Sequence, residues 1–135
     1  MRSHPYLRAY MAGILVPTVF LLLVVAVFAI ARYAAGLDLP IERALVFPLA
    51  VVPNLWGAWN ALHLALRERS PLSLAAHGAL LPLLLVPAGV MMTRALDVVF
   101  LTSVEAAAAV PLVMAVYYLL WKHLVWRLNA ELGIL

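Results

Sequence analysis

The chain has 135 residues, 67% hydrophobic and 11% charged, with nine Lys and Arg against six Asp and Glu. A soluble domain carries about a quarter charged residues, so a chain this apolar cannot cover its surface with polar groups, and its surroundings must be largely lipid. It has no cysteine, which excludes a disulfide frame and thiolate chemistry, and its formal charge of +3 is too dispersed for the basic stripe of a nucleic-acid binder.

The gaps between charges mark the elements. Residues 9–31, 44–66 and 70–93 are uncharged, and between Asp97 and Lys122 only Glu105 intervenes. Each window exceeds the ~20 residues that cross a hydrocarbon core as a helix. The first holds 13 residues of Leu, Ile, Val or Phe, which alone favour insertion by about 4–8 kcal/mol. Its apolar stretch is longer than the core of an ordinary signal peptide, and "ARYAAGLDLP" is a poor cleavage site. The expected fold is therefore an all-α membrane protein: one integral membrane domain, with spans near 9–32, 44–66, 71–94 and 103–127.

Short connections predict antiparallel neighbours and an up-down-up-down bundle. "GLDLPIER" (36–43) joins the first two spans, with Gly36 and Pro40 as breakers. "RERSP" (67–71) is a tight hairpin in which Ser70 reads as an N-cap and Pro71 as the first helical residue. "TSVE" (102–105) reads as a capping box that opens the fourth span. Six Lys and Arg (Arg2, Arg8, Arg67, Arg69, Lys122, Arg127) fall on one side and three (Arg32, Arg43, Arg94) on the other, which places both termini in the cytoplasm.

Every span carries a Val-Pro step, at Pro17, Pro53, Pro87 and Pro111, so each helix is expected to kink. The P-L-x-x-V-P motif occurs at 48–53 and again at 82–87, as a duplication would leave it, although prolines are also common in membrane helices. The freed carbonyl near Pro53 needs a donor, and Asn54 stands beside it.

The second span is the one rich in polar groups: "VPNLWGAWNALHLAL" (52–66). Trp56, Asn60 and His63 follow at i, i+4 and i+7 and share one face, with Trp59 beside them. Gly57 and Ala61 form a small-x-x-x-small pair where another helix could approach. Polar groups in lipid turn toward protein, so this face is expected to look inward, as a ligand pocket or as inter-helix hydrogen bonds. His63 precedes Arg67 by four residues and His77 follows Arg69 by eight, so both lie on the order of 10 Å from one hairpin turn. A metal or haem would fall to His63 and His77. No E-x-x-H pair, C-x-x-C-H motif or carboxylate inside the first three spans supports one, so no cofactor is expected.

At the C-terminal end, "YYLLWKHLVWR" (117–127) reads as an aromatic belt with snorkelling cations, with Tyr117, Tyr118, Trp121 and Trp126 at headgroup depth. Tyr118 shares a face with Lys122, and His123 with Arg127; Tyr118 and His123 are secondary candidates beside Asn54. A small proton-coupled exporter needs a buried acid, and there are no paired carboxylates or phosphate loop for an enzyme. The expectation is a small polytopic membrane protein without catalytic activity of its own, acting as a homo-oligomer or as an accessory subunit bound to a membrane partner. Its alternatives are a transporter or channel protomer, and a haem- or quinone-associated redox subunit. Alanine-rich, arginine-over-lysine composition suggests the inner membrane of a prokaryote.

Overall fold

A computed structural model describes residues 4–39, 41–95 and 103–135. These residues are helical with no strand among them: α1 (Pro5–Tyr33), α2 (Ile41–Ala44), a π-helical turn (Leu45–Leu49), α3 (Ala50–Leu66), α4 (Leu74–Leu80), α5 (Pro82–Ala95), α6 (Ser103–Leu120), a second π-helical turn (Trp121–Val125) and α7 (Trp126–Glu131). They stack into four helical columns, 5–33, 41–66, 74–95 and 103–131. Three of these, Pro5–Tyr33, Leu74–Ala95 and Val104–Glu131, are long and apolar enough to cross a membrane. The second column is interrupted by the π turn around Pro48, which leaves a regular stretch, α3, of 17 residues. The helical form follows from the apolar surroundings, because lipid offers backbone N–H and C=O groups no partner.

Pro17, Pro53, Pro87 and Pro111 all lie inside helices. Asn54 does not take the carbonyl that Pro53 frees at Leu49. Its amide donates to Ala50 O, 2.9 Å away, the carbonyl one helical turn before it. The third column also begins later than Ser70–Pro71. The N-cap is Ser73, in extended conformation, whose hydroxyl accepts from the Ala76 N–H at 3.2 Å. Ser70 accepts instead from the Leu72 N–H, and 70–73 is a short non-helical link with Pro71 outside the helix. Residues 96–102 lie outside the described residues, and with them Thr102 of the capping box.

Helices α1 and α3 pack most closely. A Cβ on Gly13 would stand 2.5 Å from the carbonyl oxygen of Trp56, and one on Gly57 would stand 2.7 Å from the Tyr10 ring. Gly57 is thus used for an approach within the chain, by α1. Two clusters fill the interior: Trp56, Leu74, Leu81, Leu85, Trp121 and Val125 between α3, α4, α5 and the second π turn, and Ala9, Ala12 and Ile134 near the chain's two ends. Ile134 arrives there because the chain reverses after α7. Gly133 has φ +65°, its N–H donates to Ala130 O, and the Ile134 N–H donates to Asn129 O. That bond pattern is a Schellman cap, which needs a residue at ease with positive φ.

Candidate functional site

The sequence-selected residues of α3 divide among three neighbours. Trp59 and His63 meet α4. The Trp59 indole N–H donates to His77 O at 2.8 Å, and His77 Nε2 stands 3.0 Å from Trp59 O. A carbonyl oxygen can only accept, so Nε2 carries the hydrogen. The two rings stack, with centroids 4.7 Å apart, and His63 tilts against His77 at 4.9 Å.

The local sequence explains this clasp. Pro82 has no N–H to give to Gly78 O, and the Leu81 N–H turns to that oxygen at 3.1 Å. His77 O is left at the end of α4, where the Trp59 indole takes it. His77, only 5% exposed, is satisfied in return.

Trp56 turns to the fourth column. Its ring lies 4.9 Å from Tyr117 and 5.5 Å from Trp121. Trp121 is fully buried and lies flat enough on Gly78 that a Cβ there would fall within the indole. Tyr117 and Trp121 therefore belong to the interior, whereas Tyr118 and Trp126 stay exposed, as a headgroup belt requires. Helical periodicity places Trp121 beside Tyr118, but it cannot show which of them finds a glycine opposite. Both the Trp56 and Trp121 indole nitrogens are buried, with no hydrogen-bond partner among the described residues.

Asn60 turns to α1 and α7, away from the histidines. Its amide donates to Ala9 O at 2.7 Å and to Asn129 Oδ1 at 2.8 Å, and Asn129 Nδ2 donates back to Asn60 Oδ1 at 3.1 Å. Both side chains are buried. Sequence patterning does not single out Asn129. As the polar residue of "RLNAEL" it reads like a solvated end, and only the chain reversal after α7 brings it inward.

The secondary candidates lie outside these groups. Asn54 is exposed and accepts a hydrogen bond from the Tyr10 hydroxyl. Tyr118 carries the Lys122 ammonium 5.9 Å from its ring centre, and His123 is exposed on the second π turn. Among the described residues no three His, Asp or Glu side chains gather as a metal centre. The His63–His77 pair brings two imidazoles together, one of them bonded to a backbone carbonyl.

The described residues also line an apolar groove of about 340 Å³ between α5 and α6, bordered by Leu83, Pro87, Val90 and Ala107. No known protein family, curated protein or solved structure matches the chain.

Proposed function

We propose that the protein is a four-span, up-down-up-down membrane protein of a bacterial inner membrane, proline-kinked, with both termini cytoplasmic. It works as an interacting subunit, either with its own copies or in a larger membrane assembly, and carries no catalysis of its own. The observation that supports this reading is how the polar side chains of α3 are used. Trp59, His77, Asn60 and Asn129 are all occupied by reciprocal hydrogen bonds between helices. They hold the columns together, and the functional surface then lies on the outside.

Asn54 supplies that surface with a polar group. It sits mid-way along the uncharged window 44–66, exposed, between exposed Ala50 and Ala58 at i−4 and i+4. Its bonds to Ala50 O and the Tyr10 hydroxyl leave one N–H and one oxygen lone pair for a partner outside the chain, and small flanking residues allow a helix to come close. The test is the detergent-corrected mass of the protein extracted in mild detergents, with and without Asn54→Leu. A multimer, or a stoichiometric membrane partner, that Asn54→Leu weakens is the expected result. A lone monomer in every mild detergent contradicts the proposal.

A further inference from the structure

Two arginines converge on the chain's last turn. Arg8, near the start of α1, reaches Leu132 O with its guanidinium at 3.3 Å, and Arg67, at the end of α3, reaches Ile134 O at 3.1 Å. These carbonyls flank Gly133, whose missing side chain leaves the Arg8 guanidinium 3.8 Å from where a Cβ would be. Each guanidinium has five N–H donors in a fixed fork, and the contact to the turn uses one nitrogen of each.

Among the described residues no carboxylate lies within 4.0 Å of either guanidinium. The other end of the molecule differs, since Arg32 is paired there with Glu42 at 3.0 Å. Two guanidiniums that bond carbonyls of the same turn and lack a protein anion each keep N–H donors for an external one, and a phosphate oxyanion matches guanidinium geometry. Beside Arg8, one position round α1, exposed Leu7, Met11 and Leu15 run down the helix at i, i+4 and i+8. They form an apolar track that an acyl chain can follow beneath a bound headgroup.

We propose that Arg8 and Arg67 form a phosphate-oxyanion site at the bundle end, and that its occupant is the phosphodiester of an anionic phospholipid whose acyl chain lies along Leu7, Met11 and Leu15. The proposal rests on the membrane-spanning reading but not on self-association. It matches the known preference of basic pockets between membrane helices for anionic headgroups.

The experiment is lipid titration of the intact detergent-solubilised protein, read by native mass spectrometry. Phosphatidylglycerol, phosphatidylcholine and inorganic phosphate are the probes. Phosphatidylglycerol should bind in preference to phosphatidylcholine. Arg8→Gln and Arg67→Gln should each weaken it about tenfold or more, the loss of a charge-assisted hydrogen bond. Arg127→Gln, an exposed cation of the same end, should leave it unchanged. Arg67→Lys keeps the charge but not the fork and should fall between. Circular dichroism of each variant reports whether the helices persist.

Competition decides the source of the phosphate. Phosphatidylglycerol that excess inorganic phosphate fails to displace supports the lipid assignment. Tight binding of inorganic phosphate alone overturns that assignment and makes the fork a site for a soluble phosphate. Equal binding of the two lipids without phosphate binding overturns the site itself, as does an equal loss in Arg127→Gln. A monomeric protein that still selects phosphatidylglycerol leaves this inference standing while the proposed subunit role fails.

Discussion

At the scale of single residues, the polar groups of α3 act as fasteners. Trp59→Phe keeps the stacked ring but removes the N–H that satisfies His77 O. A stranded buried carbonyl costs about 1–3 kcal/mol, so this variant should unfold in denaturing detergent earlier by a corresponding amount. Unchanged unfolding would mean that another donor takes the oxygen. The Asn60–Asn129 pair calls for a double-mutant cycle. Asn60→Leu and Asn129→Leu each strand the opposite amide, whereas together they remove both. The double variant should therefore lose clearly less than the sum, with a coupling near the ~0.6–2 kcal/mol found for polar pairs across membrane helices. Strict additivity would show that the pair does not form. The inward turn of Asn60 could be read from its neighbours in α3, but its partner could not. Depth and periodicity do not report a chain reversal more than sixty residues later, nor the helix rotation that turns Asn60 to α1 and α7 while His63 meets His77.

At the scale of elements, glycine sets the spacing. Gly13→Ala pushes a methyl group into the Trp56 backbone, and Gly78→Ala pushes one into the Trp121 indole. Neither neighbour is a flexible chain end, so the helices must separate. Overpacking of this kind typically costs 1–3 kcal/mol, and about that loss is expected for each. Gly89 offers a control: its nearest neighbour is the edge of the Phe47 ring, at 3.1 Å. Gly89→Ala should cost less than either, because a 3.1 Å contact is relieved by a ring shift of a few tenths of an ångström, whereas the tighter contacts at Gly13, 2.5 Å from the Trp56 carbonyl oxygen, and at Gly78, within the Trp121 indole, are not. Thermal unfolding of the three variants gives the order, and a Gly89 effect as large as that of Gly13 contradicts it.

The apolar windows were legible at this scale because charges are expelled from lipid, so gaps between charges mark helices without any alignment. The two π turns were not legible. A π turn is a local choice between i−4 and i−5 partners, which hydrophobic periodicity does not report. Ser73 is hidden as a cap because Ser70–Pro71 offers the same chemistry three residues earlier, and both hydroxyls do accept an N–H.

For the whole molecule, the outer surface is apolar over most of its height: Phe20, Leu23, Val27 and Ile30 on α1, Met91 on α5 and Leu112 on α6 are all more than 60% exposed. Such a surface is expected of a chain solvated by lipid, and in water it would be an aggregation surface. The 41–66 column is the element on which the topology turns. Its regular helix, α3, has 17 residues, and it is the column outside the three that are long and apolar enough to cross a membrane; an odd number of crossings would put the termini on opposite sides. Native cysteine is absent, so single cysteines can be placed at will. The most direct measurement is labelling of Asp38→Cys, Glu68→Cys and Leu135→Cys by a membrane-impermeant maleimide in intact cells. The account expects Asp38→Cys to label from outside, with Glu68→Cys and Leu135→Cys labelling only after the membrane is opened. Labelling of both Asp38→Cys and Glu68→Cys from the same side would show that 41–66 does not cross, and would contradict the four-span topology.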